Sequence, residues 1–123
     1  MLSLQGGTLF GSTPQPLIQL DNSSVSLGQR ALFLSSGAIL TLLGPLFQAT
    51  NSTLTPGAGV PFVALNSGAV LTTGGPVLDL TNSPLNLGSQ PLVSLSGGST
   101  IQNTAGPFLK LTDVTLIADT LIT

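Results

Sequence analysis

A column of leucines recurs through this chain at a near-constant step, and that repetition restricts it to very few folds. Counted from the position before each apolar stretch, most often a proline, units begin at Met1, Pro16, Arg30, Pro45, Pro61, Pro76, Pro91 and Pro107, 14 to 16 residues apart. Inside the units one apolar column reads Leu20, Leu34, Ala49, Leu65, Leu80, Leu95 and Leu111. Two residues earlier stands a second: Ile18, Leu32, Phe47, Val63, Leu78, Val93 and Leu109. Between them lie Gln19, Phe33, Gln48, Ala64, Asp79, Ser94 and Lys110, mostly polar or small. Alternation with a period of two marks a strand with one buried face. Phe33 is the position that does not fit.

The units are of two alternating kinds. Units two, four and six turn at Asn22-Ser23, Asn51-Ser52 and Asn82-Ser83, and unit eight turns at Asp113-Val114. The others turn at Gly6-Gly7, Ser36-Gly37, Ser67-Gly68 and Gly97-Gly98. Asn and Gly both accept the left-handed backbone of a tight corner. Gly7, Gly37, Gly68 and Gly98 are therefore the expected corner glycines. After the Asn corner a second alternating strand follows, with Val25 and Leu27, Leu54, Leu85 and Leu87, and Leu116 as its apolar residues.

Short strands at a fixed period, broken only by corners, predict an all-β parallel β-solenoid. Strands of constant polarity stack in register about 4.8 Å apart. The superperiod of the corners predicts four coils of about 30 residues; the alternative is eight coils of about 15. Asp79 and Lys110 favour the longer coil, because only then do these opposite charges become direct neighbours. The preference of parallel crossovers predicts a right-handed helix. Asn22, Asn51, Asn82 and Asp113 are expected to form a side-chain ladder, inside or at a corner. Asn51→Leu should therefore cost more than Gln48→Leu on the outward column. The whole span 1–123 reads as one repeat domain. Neither end carries the polar cap that solenoids need for solubility, which implies a segment of a longer solenoid or a subunit that stacks end to end.

Composition narrows the function. Only 5% of the 123 residues are charged, and Cys and His are absent, as are Trp and Tyr. A net charge of −2 offers no basic footprint for nucleic acid or anionic membrane. Without Cys there is no disulfide framework or thiolate metal site. No apolar run nears the ~18 residues of a membrane span, and the opening Met1-Leu2-Ser3-Leu4-Gln5-Gly6-Gly7 has neither basic nor apolar signal-peptide regions. The four carboxylates, Asp21, Asp79, Asp113 and Asp119, are dispersed, so no catalytic residue, metal ligand or cofactor site is expected. Gly6-Gly7, Gly74-Gly75 and Gly97-Gly98 are not followed by the lysine of a phosphate loop. The Asn22-Ser23-Ser24 and Asn51-Ser52-Thr53 sequons coincide with corners. Thr53, Thr55, Thr72, Thr73, Thr120 and Thr123 invite comparison with ice-binding threonine ranks, but Ser24, Pro84, Asn86 and Ile101 interrupt them.

The unit Pro-apolar-apolar-x-Leu-x-Asn-Ser-x-apolar, as in Pro76 to Leu85, resembles the degenerate repeats of large bacterial surface β-helix proteins. Filamentous-haemagglutinin-like adhesins and autotransporter passenger shafts are the nearest group. The resemblance covers the chain by pattern and composition and implies a rigid extracellular or cell-surface shaft, without transferable binding residues. The expected function is thus structural: a fibre or adhesin-shaft segment, with itself or flanking coils as partner. An ice- or polysaccharide-binding module is the alternative, and an enzyme is not expected.

Overall fold

The computed structural model describes residues 2–123; Met1, the start of the first repeat unit, lies outside the described residues. Sixteen short strands form four coils. Coil one contains β1 (Leu2–Gln5), β2 (Thr8–Gly11), β3 (Ile18–Asp21) and β4 (Ser24–Ser26). Coil two contains β5 (Leu32–Ser35), β6 (Ile39–Leu42), β7 (Phe47–Thr50) and β8 (Thr53–Thr55). Coil three contains β9 (Val63–Leu65), β10 (Val70–Thr73), β11 (Leu78–Thr81) and β12 (Leu85–Asn86). Coil four contains β13 (Val93–Leu95), β14 (Thr100–Asn103), β15 (Leu109–Thr112) and β16 (Leu116–Ile117).

Each strand pairs in parallel with its counterpart one coil away. The first side is β1-β5-β9-β13, the second β2-β6-β10-β14 and the third β3-β7-β11-β15. Register follows the columns: Leu2 faces Leu32, Leu32 faces Val63, and Val63 faces Val93. These partners lie about 30 residues apart, so the chain is a four-coil parallel β-solenoid and the 15-residue coil is excluded.

The fourth side is split into β4-β8 and β12-β16. The cause is one residue. Thr53 donates its backbone N–H to the Ser23 carbonyl at 2.9 Å. Pro84 occupies the equivalent place one coil on and has no N–H to give.

Apolar columns fill the interior. Leu32, Leu34, Leu40, Phe47, Leu65, Leu71, Leu78, Leu80 and Leu85 are all buried. Phe47 meets Phe62 edge to face, with ring centroids 5.1 Å apart. At roughly 25 cal/mol per Å² of apolar surface removed from water, side chains of this size contribute about 1.5–3 kcal/mol each. Phe33 faces outward, half-buried, with the Arg30 guanidinium 5.1 Å from its ring centre. That cation–π contact gives this misfit of the alternation a physical reason.

Candidate functional site

The corners combine left-handed backbone with hydrogen bonds between coils. Asn22, Asn51, Asn82 and Asp113 all have φ between 47° and 53°. Gly7, Gly37, Gly68 and Gly98 have φ between 71° and 77°. The Asn column is exposed, and along it the Asn82 Nδ2 donates to Asn51 Oδ1 at 2.9 Å. Asn22 turns instead to its neighbour, donating to Asp21 Oδ1 at 3.0 Å. The predicted four-membered ladder thus appears as one rung on the outside of a corner.

The buried ladder is made by the residue that follows. Ser52 and Ser83 are 3% and 0% exposed. The Ser23 N–H donates to Ser52 Oγ at 3.2 Å, and the Ser52 N–H to Ser83 Oγ at 2.9 Å. Each hydroxyl in turn donates to the carbonyl two residues back: Ser23 to Asp21, Ser52 to Thr50 and Ser83 to Thr81, at 2.7–2.9 Å. Ser52 and Ser83, turned inward at left-handed corners, thus each pair with two backbone groups, an N–H of the preceding coil and a carbonyl of their own. The recurring Asn-Ser pair was the signal; Ser was read there only as part of the corner.

On the outward column of the third side Asp79 lies between Gln48 and Lys110 in register. Gln48 Nε2 donates to Asp79 Oδ2 at 3.1 Å, and Lys110 Nζ stands 3.9 Å from the same oxygen. The Asp79 side chain is only 9% exposed, so Gln48 supports a buried carboxylate and is not the inert contrast to Asn51 that its outward position implied.

Among the described residues no three of His, Cys, Asp and Glu come together as a possible metal site. An open groove of about 500 Å³ runs along the split fourth side, lined by Leu54, Thr55, Pro56, Gly57, Asn86 and Gly88 among others, with no ionisable group. Of the threonines considered for an ice-binding rank, Thr73 points inward and is buried. Thr72 faces outward beside Thr41 in register, but Phe10 and Gln102 occupy that column in the neighbouring coils. Among the described residues no helix is long and apolar enough to cross a membrane.

The remaining candidate is the pair of end faces. The columns buried in coils two and three emerge half-covered in coils one and four. Leu2, Leu4, Ile18, Leu20 and Val25 are half-buried at one face, as are Leu95, Ile101, Leu109 and Leu116 at the other. Leu9 and Leu111 on these columns are exposed. Thr120–Thr123 continues the first side: Val93 donates its N–H to the Leu121 carbonyl at 2.9 Å, and Thr123 donates back to Val93 at 3.0 Å. Ile122 therefore lies opposite Val93.

These features define a parallel β-solenoid with apolar end faces. Comparisons with protein-family models, curated proteins and solved structures found no match for this chain.

Proposed function

We propose that this chain is a structural β-solenoid segment, part of an extracellular fibre or adhesin shaft, whose end faces take further coils of the same kind. The observation that carries this reading is the emergence of continuous apolar columns, half-covered, at both end faces. Parallel strand edges over such columns are templates for another coil. The work of such a segment is mechanical, and the residues responsible are the inward leucines and the corner serines. The shortage of charge supports placement outside the cell: Arg30 and Lys110 are the only basic side chains, so trypsin-like proteases find few sites.

Duplicating the span 32–92 within the chain tests the reading. Two added coils should lengthen the particle by about 10 Å and raise the melting temperature in a single transition, since nearest-neighbour interfaces add. A protease-sensitive insert, or a lower melting temperature, would refute it.

A further inference from the structure

We infer that a second copy of this chain docks head to tail on the fourth coil, and that the Asn-Ser corner sets its register, with Asp113 accepting a hydrogen bond from Asn22 of the second copy. The inference rests on the structural reading above and names the partner of the same end faces. Each end face is one whole coil of about 30 residues, the number that a standard-size stable interface uses on each side.

The polarity of the corner points to this arrangement. Within the chain, backbone N–H groups of one coil reach forward to the next: Asn22 to the Thr50 carbonyl, Asn51 to Thr81 and Asn82 to Thr112, at 2.9–3.0 Å. Ser23 and Ser52 N–H groups reach forward to the next serine hydroxyl. The amide rung runs backward, from Asn82 to Asn51. Continued one coil further, the pattern takes the Asp113 N–H to the Asp21 carbonyl of the second copy. It takes the Val114 N–H to the Ser23 hydroxyl of that copy, and the Asn22 amide of that copy back to the Asp113 carboxylate.

The departures at coil four suit this junction. A carboxylate has no donor, so Asp113 cannot make the backward rung to Asn82; toward the next coil it is a stronger acceptor than an amide. Val114 has no hydroxyl, so the serine ladder resumes only with Ser23 of another coil. The columns also match: Leu109 and Leu111 would lie over Ile18 and Leu20, Ile101 over Leu9, and Leu116 over Val25. On the first side Ile122 holds the place that Leu2 of the second copy would take. Docking therefore exchanges the hydrogen bonds that the Leu92, Val93 and Leu95 N–H groups make to the Thr120, Leu121 and Thr123 carbonyls for those of the four-residue strand β1. A head-to-tail contact of this kind does not close, and repeated it gives a filament.

The test is sedimentation velocity with negative-stain electron microscopy of the whole chain over a range of concentrations at low salt. The wild-type chain should form linear oligomers that lengthen with concentration. Asn22→Asp sets a carboxylate against Asp113 and should weaken association by about fivefold or more, with recovery as salt is raised. Asp113→Asn should retain assembly, and the double variant Asn22→Asp with Asp113→Asn should regain it, because one donor and one acceptor then meet again. Asp accepts the left-handed corner, as Asp113 does at φ 53°, so Asn22→Asp should fold normally by circular dichroism. Equal assembly of Asn22→Asp and wild type would overturn the inference, as would a wild-type chain that stays monomeric. If that monomer is accompanied by a stable duplicated-coil chain, the inference falls and the structural reading stands; if the duplicated chain also fails, both fall.

Discussion

Ser83→Ala should be among the most damaging single-atom deletions available in this molecule. The Ser83 hydroxyl is fully buried, accepts the Ser52 N–H at 2.9 Å and donates to the Thr81 carbonyl at 2.9 Å. Removing it leaves the N–H of Ser52, a buried residue, without its acceptor. A buried donor left unpaired costs about 1–3 kcal/mol. The Thr81 carbonyl loses less, because it also accepts the Asn51 N–H at 2.9 Å; that bond limits the further cost to about 0.5 kcal/mol. The total is about 1.5–3.5 kcal/mol. The other two serines provide an internal scale. Ser52→Ala strands the Ser23 N–H, which sits at an exposed position where water can replace the lost partner, so about 1 kcal/mol is expected. Ser23→Ala removes only an exposed bond to the Asp21 carbonyl and should stay within ~0.5 kcal/mol. Urea unfolding followed by far-ultraviolet circular dichroism, compared at matched m-values, reads all three. The order Ser83, Ser52, Ser23 is the claim. Equal midpoint shifts for Ser83→Ala and Ser23→Ala would refute the buried serine ladder.

Two further contrasts can be read in the same assay. Gly68→Ala meets open space but must hold φ at +75°, a cost of about 1–2 kcal/mol. Gly74→Ala would drive its Cβ into the Leu43 carbonyl one coil away, so the coils must separate. Its cost should exceed that of Gly68→Ala and reach or pass the ~1–3 kcal/mol of ordinary overpacking; the reverse order would mean that the spacing between coils is soft. Gln48→Leu removes the amide that donates to the buried Asp79 carboxylate and should cost about 1.5–3 kcal/mol. Gln19→Leu, exposed on the same column, should stay within ~0.5 kcal/mol. Lys110, 57% exposed and 3.9 Å away, is too solvated to replace that amide, so a silent Gln48→Leu would show that Asp79 does not depend on it.

Much of the architecture was legible because strand alternation and corner chemistry are local. Leu78, Asp79 and Leu80 announce an inward-outward-inward strand whatever surrounds them. Asn82 and Gly68 announce left-handed corners because few other residues adopt that backbone cheaply. The spacing of the two corner types and the pairing of Asp79 with Lys110 favoured the coil of about 30 residues, and the parallel register decided it. In the sequence Pro84 stands out as an interruption of the threonine ranks. Its larger effect, the split of the fourth side, depends on the carbonyl it faces one coil away.

What only the tertiary structure decided concerns side chains whose role is set by the adjacent coil. Asn and Ser share this corner in coils one to three, and both are polar; nothing local says that Ser turns inward to bridge coils while Asn stays outside. Ser83 is buried, and its partner Ser52 comes from the preceding coil. Asp79 stands at an outward position and is nonetheless covered, because Gln48 and Lys110 from the coils on either side lean over it. Phe33 breaks the alternation and is accommodated by Arg30. The sequence by itself determined which face of each strand is apolar and where the chain turns, because those follow from alternation and backbone preference; between two coil lengths it expressed only a preference. Stacking decided which polar groups are bonded and which apolar columns stay covered, because a hydrogen bond between coils needs two residues some 30 positions apart to meet in register.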